Sequence, residues 1–403
     1  MADKAKENRL LFILACCSFF VGLDSIVTVP LLPALAQSAA IPMDLGALLV
    51  SVYAFVYMVS APLFGTVSDR RGRKGMIWGG MLVLGLGTML TGLAESFASL
   101  LLFRALTGMG AAMLEPSIFA LISDHFPYER RGRAMGVVMG ALTGSTLFGV
   151  PLGSYLAQFS SWQWTFWCIG LSALLMLFFI HAEIPREQPG KKTGSSPSAL
   201  SSMLRTAFTT PSLFLALLAT LLWFGGLQGM FANIGVYYHS LFQLETGQIG
   251  IILMIAGAGS VLGSLAGGKL ADSFGKKIVV GFASLFAAAG VGGLSLIDSS
   301  LILAVTVHFL WSTAFGMGHT ALTALISELS PAVRSTLLSL NSSAMYAGMM
   351  LATAVSAALL RGGGFSRVGL FCAASALLVL PVCSLLKLES ASAMQQTKAN
   401  QTR

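Results

Sequence analysis

Gly65-Thr-Val-Ser-Asp69-Arg-Arg-Gly72-Arg73-Lys74 is a short polar stretch set between two apolar runs, each long enough to cross a bilayer. The chain repeats it 203 residues later as Gly268-Lys-Leu-Ala-Asp272-Ser-Phe-Gly275-Lys-Lys277. Glycine, aspartate, glycine and two closing basic residues keep the same spacing in both copies. A second copy at the matching place in the other half is the trace of a duplicated unit.

Composition narrows the class before any motif is used. Hydrophobic residues make up 55% of the chain, charged residues only 10%, and 44 residues are glycine. A soluble domain carries about 25% charged residues. Apolar runs of about 20 residues, enough for roughly 30 Å of hydrocarbon, recur along the whole chain. The sequence is that of an integral membrane protein. Its net charge of +8 therefore describes loops at a membrane surface and not a nucleic-acid face. Cys16, Cys17, Cys168, Cys372 and Cys383 lie in apolar segments without metal-type spacing and read as small core residues.

Turn and charge clusters divide the chain into twelve expected spans, at 10–36, 44–66, 75–95, 98–124, 131–157, 162–183, 211–238, 245–270, 277–297, 301–328, 334–360 and 365–387. Lys4, Lys6 and Arg9 before the first run, with Ala34-Leu35-Ala36 after it, imitate a cleavable signal. The first span is expected to be retained, because losing it removes Asp24 and leaves eleven. Placing the N-terminus inside puts 21 of the 24 basic residues on the cytoplasmic side, with Arg361 and Arg367 outside and Arg104 within a span. Both termini are thus expected in the cytoplasm. The architecture expected is all-α, with a bundle over 1–183, a Pro-, Gly- and Ser-rich linker over 184–210, and a second bundle with a short tail over 211–403. A short interfacial helix over 199–208 and a plain solvated loop are both open there.

The duplication continues at an offset of 204, where Ala120-Leu-Ile-Ser123 recurs as Ala324-Leu-Ile-Ser327. This register pairs Glu115 with His319, Arg104 with His308 and, more loosely, Asp24 with Gln228. An ionisable side chain at mid-span costs about 2.5 to 3.5 kcal/mol on insertion scales and persists with a partner or a wet cavity. Asp24, Arg104 and Glu115 are the acidic and basic residues clearly that deep. Arg104 and Glu115, eleven residues apart, share a helix face at about 16 Å. Asp24 falls between them in depth and can neutralise Arg104 or couple to Glu115. Two readings of Asp24 stand together, a structural counter-ion and a group that takes up and releases a proton. Arg104 has the alternative of snorkelling outward, and Pro116 after Glu115 offers a helix bend.

The Gly65–Lys74 stretch resembles the signature joining the second and third helices of major facilitator superfamily transporters. Leu23-Asp24-Ser-Ile-Val-Thr-Val-Pro30-Leu-Leu-Pro33 resembles the first-helix motif of its drug:proton antiporters. Phe103-Arg104-Ala-Leu-Thr-Gly108-Met-Gly110-Ala-Ala112 resembles the fourth-helix motif, whose arginine is tied to proton movement. Thr107 stands there in place of the usual glutamine. Gly144 and Gly149-Val-Pro151-Leu-Gly153 resemble the exporters' antiporter motif, with Val150 between the glycine and the proline. The resemblance implies two six-helix bundles rocking about a midplane site lined by the first, fourth, seventh and tenth spans. It assigns proton coupling to Asp24, Arg104 and Glu115, and the conformational hinge to Gly65, Asp69, Gly72, Arg73, Lys74, Gly268, Asp272 and Gly275. Asp69 is expected to cap the eleventh span near Arg334 and Ser335 in the outward-open state.

Gln228, Phe231 and Asn233 of the seventh span and Trp311, Phe315 and His319 of the tenth are candidate substrate contacts. Ordinary bundle packing is the alternative for them. With 26 phenylalanines and 19 methionines available, an apolar adaptable pocket suits hydrophobic or cationic organic compounds. The expected function is proton-coupled efflux of small amphipathic or hydrophobic compounds across a cell membrane, by a monomer without cofactor or metal. Transport of a polar metabolite such as a sugar, and a non-transporting sensor, are the alternatives. There is no P-loop for ATP, and no constellation that points to an enzyme.

Overall fold

The computed structural model describes residues 2–126, 128–185, 209–329 and 334–386, and within them every regular element is helical. In chain order these are α1 (Ala2–Ser38), α2 (Ala47–Arg71), α3 (Arg73–Thr91), α4 (Phe97–His125), α5 (Tyr128–Gly144), a π-helical turn (Ser145–Gly149), α6 (Val150–Phe159) and α7 (Trp162–Glu183). After the linker come α8 (Pro211–Phe231), α9 (Ile234–Phe242), α10 (Thr246–Phe274), α11 (Lys276–Leu294), α12 (Leu301–Leu329) and α13 (Arg334–Leu385). The expected helix over 199–208 and the tail from residue 387 lie outside the described residues.

Ten helical stretches among the described residues are long and apolar enough to cross a membrane. One of them, Leu340–Leu385, runs for 46 residues and breaks at Gly363 and Gly364. α5 and α6 together make another, as do α8 and α9. α3, with 19 residues and a basic first turn, is not among the ten. Large apolar side chains such as Leu152, Phe159, Phe178 and Ile302 stand exposed on the outer surface. Water would not tolerate so many exposed apolar side chains on one protein, whereas lipid requires them.

Both copies of the repeated stretch turn the chain in the same way. Gly72 between α2 and α3 has φ 93° and ψ 147°, and Gly275 between α10 and α11 has φ 92° and ψ 137°. A side chain is strained at such φ values, so glycine is required. The lysine two residues on then closes a distant helix end. Lys74 Nζ donates to the carbonyls of His181 and Ile184, each at 2.6 Å, and Lys277 Nζ donates to the carbonyl of Leu386. A cation at a helix C-terminus is favourable by about 0.3 to 1 kcal/mol. Arg73 holds the turn to α4 by donating to Ser68 Oγ at 3.2 Å and pairing with Asp124 at 3.4 Å.

Helices before the linker meet helices after it at one end of the molecule. α2 touches α13 through Ser51 and Thr353. Gln158 of α6 donates to Glu245, the residue that caps α10. Gly250 of α10 lies so close to α6 that a Cβ there would stand 2.6 Å from Ser154 Cβ. Gly235 of α9 packs in the same way on the backbone of Val29 in α1. At the opposite end, a Cβ on Gly65, Gly72, Gly136 or Gly140 would meet no atom within 4 Å. The two halves are packed together on the side of the 38–47, 159–162 and 242–246 connections.

Candidate functional site

Asp24 and Arg104 are brought together deep in the first half of the chain. Arg104 Nη1 donates to Asp24 Oδ2 at 2.9 Å, and the side chains are 1% and 0% exposed respectively. Thr88 of α3 donates its hydroxyl to the other carboxylate oxygen, Asp24 Oδ1, at 2.8 Å. The guanidinium also lies over the ring of Tyr53 in α2, 4.8 Å from its centroid, a contact worth about 2 kcal/mol when desolvated. Arg104 thus turns inward, and the outward-snorkelling alternative is set aside. Its Nε and Nη2 have no hydrogen-bond partner among the described residues.

The motif glycines produce this arrangement by close approach. A Cβ on Gly108 would stand 2.5 Å from the Tyr53 carbonyl oxygen, and one on Gly110 would stand 2.5 Å from the Leu84 nitrogen. α4 therefore lies against both α2 and α3, one turn from Arg104. On the other side, a Cβ on Gly149 would stand 2.8 Å from Leu23 Cδ1 and one on Gly153 2.9 Å from Val27 Cγ2, so the antiporter-like stretch packs on α1 to either side of Asp24. A π-helical turn, Ser145–Gly149, comes directly before Val150 and Pro151. Gly144 has nothing within 4 Å of its Cβ position.

Glu115 takes a different set of partners. Tyr57 of α2 donates to Glu115 Oε2 at 2.7 Å, and Tyr346 of α13 lies within side-chain hydrogen-bonding reach of the same carboxylate. The two tyrosine rings stack, with centroids 3.6 Å apart and planes 21° apart. Tyr53 also approaches Tyr346, with ring centroids 6.5 Å apart. An aromatic series thus runs from the Asp24–Arg104 pair to Glu115, and one of its members belongs to the second half of the chain. Thr88, Tyr53, Tyr57 and Tyr346 were not among the residues singled out from the sequence. Tyr53 and Tyr57, four apart on one helix face, carry a signal that a search for polar pairs could use; Tyr346 carries none.

The candidate substrate contacts lie in the second half and are largely packed. Trp311, Asn233 and Gln228 are buried. Asn233 donates to the Gly229 carbonyl and to Ser356 Oγ, both at 2.9 Å, at the break between α8 and α9. Phe315 stacks on Trp223 at 5.6 Å and on His319 at 5.9 Å, while Phe231, Phe315 and His319 remain half-buried. Trp311 and Phe315 line a narrow crevice with Trp223, Gly226, Leu227, Ala287 and Ala376. The crevice has no room for a water-sized molecule, let alone a drug-sized one. Gly268 and Lys277 flank the second glycine turn, where Asp272 is exposed. The Asp69 side chain and the side chains of Arg334 and Ser335 lie outside the described residues. Among the described residues, no group of His, Cys, Asp and Glu is arranged to hold a metal ion.

The all-helical fold, with ten stretches able to cross a membrane among the described residues, is that of a membrane protein. The family model of the Major Facilitator Superfamily matches residues 14–353 and 242–402, and the chain belongs to that family. It is 31% identical over 351 residues to the uncharacterized MFS-type transporter YceJ of Bacillus subtilis (strain 168), covering 84% of this chain and 86% of that protein. It is 28% identical over 218 residues to the quinolone resistance protein NorA of Staphylococcus aureus (strain MRSA252), covering 53% of this chain and 55% of that one. The fold matches the crystal structure of the human organic anion transporter MFSD10 with a TM-score of 0.68 at 18% identity, over 94% of this chain and 99% of that one.

Proposed function

We propose that this transporter exports small amphipathic or hydrophobic organic compounds in exchange for protons. The observation that carries the reading is the Asp24–Arg104 pair, sealed from solvent and braced by Thr88. A buried carboxylate beside an arginine sits between two opposed influences, since desolvation favours its neutral form and the guanidinium favours its charged form. A modest rearrangement tips such a balance, and this is what a proton carrier needs. Likeness to a quinolone resistance protein over half the chain supports efflux. Few amides or charges line the apolar contacts, which argues against a sugar with its many hydrogen-bonding groups.

In this reading the helices form twelve spans in two related six-helix bundles, residues 1–183 and 211–403, joined by a cytoplasmic linker. α3 counts as a span, and α13 as two divided at Gly363–Gly364. Both termini lie on the cytoplasmic side of a bacterial inner or plasma membrane, so the end with the glycine turns faces the cytoplasm. Asp24, Arg104 and Glu115 carry the proton coupling, and the protein works as a monomer. The test is a panel of fluorescent amphipathic compounds in proteoliposomes with an imposed proton gradient. Efflux that follows the gradient and collapses with a protonophore is expected; efflux indifferent to it contradicts antiport.

A further inference from the structure

Thr88 of α3 has one hydroxyl hydrogen and two acceptors within reach of it. Its Oγ1 lies 2.8 Å from Asp24 Oδ1 and 2.8 Å from the carbonyl oxygen of Leu84, one turn back on its own helix. A hydroxyl donates one hydrogen bond and can accept two. We propose that Thr88 is a positioning residue for the proton that Asp24 carries, its hydroxyl hydrogen pointing to the ionised carboxylate and turning to Leu84 when the carboxyl takes up a proton. The proposal rests on the proton-exchange reading above and adds to it the group that receives the neutral form.

A threonine that bonds to the carbonyl four residues back is common in helices. Thr91 shows that ordinary form, donating to the Gly87 carbonyl at 2.8 Å. Thr88 departs from it because a carboxylate oxygen stands at the same distance as the carbonyl. Its heavy atoms are also held in place. A Cβ on Gly87 would stand 2.9 Å from Thr107 Cγ2, and one on Gly110 would stand 2.5 Å from the Leu84 nitrogen, so α4 presses on α3 at both ends of the turn that carries the hydroxyl. Thr88, Leu84 and Asp24 are all fully buried. Rotation of a single hydrogen is the response that such packing leaves open. The charged and titratable groups that face the carboxylate are Arg104 of α4, on Oδ2, and Tyr53 of α2, whose ring lies under the guanidinium. The π turn, α6 and α9 meet α1 near it through Gly149, Gly153 and Gly235.

In the ionised state Asp24 Oδ2 accepts from Arg104 and Oδ1 accepts from Thr88. The proton brought in by the exchange forms an O–H bond at Oδ1. That hydrogen is donated to Thr88 Oγ1, and the Thr88 hydrogen turns to the Leu84 carbonyl, while Arg104 keeps its bond to Oδ2. Each hydrogen of the Asp24–Thr88 pair has an acceptor in both states, and no heavy atom has to move. Without the hydroxyl, the buried acid hydrogen loses its acceptor and the carboxylate loses a donor, and leaving either unpaired is costly. A hydrogen bond to an ionised acceptor is about twice as strong as one between neutral groups, so the hydroxyl favours the ionised form over the neutral one.

The test is an infrared titration of the purified full chain in detergent, following the carbonyl stretch of neutral carboxyl groups; the part that Asp24→Asn removes belongs to Asp24. Thr88→Val keeps the shape of the side chain and removes the hydroxyl. It is expected to move the Asp24 midpoint to higher pH by about half a unit to one unit, roughly threefold to tenfold in proton affinity. Thr88→Ser, which keeps a hydroxyl, is expected to titrate with the wild-type midpoint. A role in packing alone would change thermal unfolding and leave the midpoint where it is. A Thr88→Val midpoint equal to wild type, or a Thr88→Ser midpoint shifted as far as that of Thr88→Val, overturns the proposal and leaves Asp24 as the carrier. Should Thr88→Val fail to fold, Thr88→Ala takes its place with the same two outcomes. An Asp24 band that does not titrate at any pH where the chain stays folded removes the proton-exchange reading, and the role of Thr88 with it.

Discussion

Arg104 Nη1 stands 2.9 Å from Asp24 Oδ2, with neither side chain reaching solvent. Removing one member of a buried ion pair costs about 3 to 5 kcal/mol, because the other charge is left uncompensated, whereas removing both is far milder. Asp24→Asn and Arg104→Gln should therefore each lower the unfolding temperature in detergent clearly, and the double variant should lie closer to wild type than either. A double variant as unstable as the sum of the two would show that the residues act separately.

The packed end gives a second expectation. Ser51 of α2 hydrogen-bonds Thr353 of α13 across the seam, in a region that alternating access has to open. A Ser51→Cys/Thr353→Cys variant should cross-link under oxidation, stop transport, and regain it on reduction. Full turnover with the cross-link in place would mean that this end stays shut throughout the cycle.

Gly72 and Gly275 hold φ near +93° and +92° in turns of matching geometry. An alanine at either position is strained by about 1 to 3 kcal/mol. Gly72→Ala and Gly275→Ala should lower the unfolding temperature by similar amounts, and Gly65→Ala, with open space around its Cβ position, by much less. Unequal losses at 72 and 275 would separate the roles of the two turns.

Asp69 closes the same stretch as a proposed conformational contact. A carboxylate at a helix N-terminus stabilises it by about 0.3 to 1 kcal/mol. Asp69→Asn should shift spin-label distances toward the inward-open state and slow turnover, with expression unchanged. Distances identical to wild type would remove the assignment.

Much of this was legible in the sequence because it is local or repeated. The glycine turns follow from a spaced motif present twice, and the depth of Asp24, Arg104 and Glu115 follows from counting residues along apolar spans. The Asp24–Arg104 contact was one of two arrangements those depths allowed; the packing of Gly108 and Gly110 on α2 and α3 brings it about. Glu115 differs. Its partner Tyr346 is 231 residues away on a span whose repeat partner offers no matching group, and no helical periodicity links the two. The break at Asn233 was also invisible, since the apolar run continues across it while Asn233 bonds to Gly229 and Ser356.

Asp24 is the proposed proton carrier, and transport in proteoliposomes by Asp24→Asn is the deciding measurement. This variant is expected to lose all gradient-driven accumulation of an amphipathic compound yet keep binding and downhill exchange. Full proton-driven transport by Asp24→Asn, together with its loss in Glu115→Gln, would contradict that claim; it would make Glu115 the carrier and leave Asp24 a structural partner of Arg104.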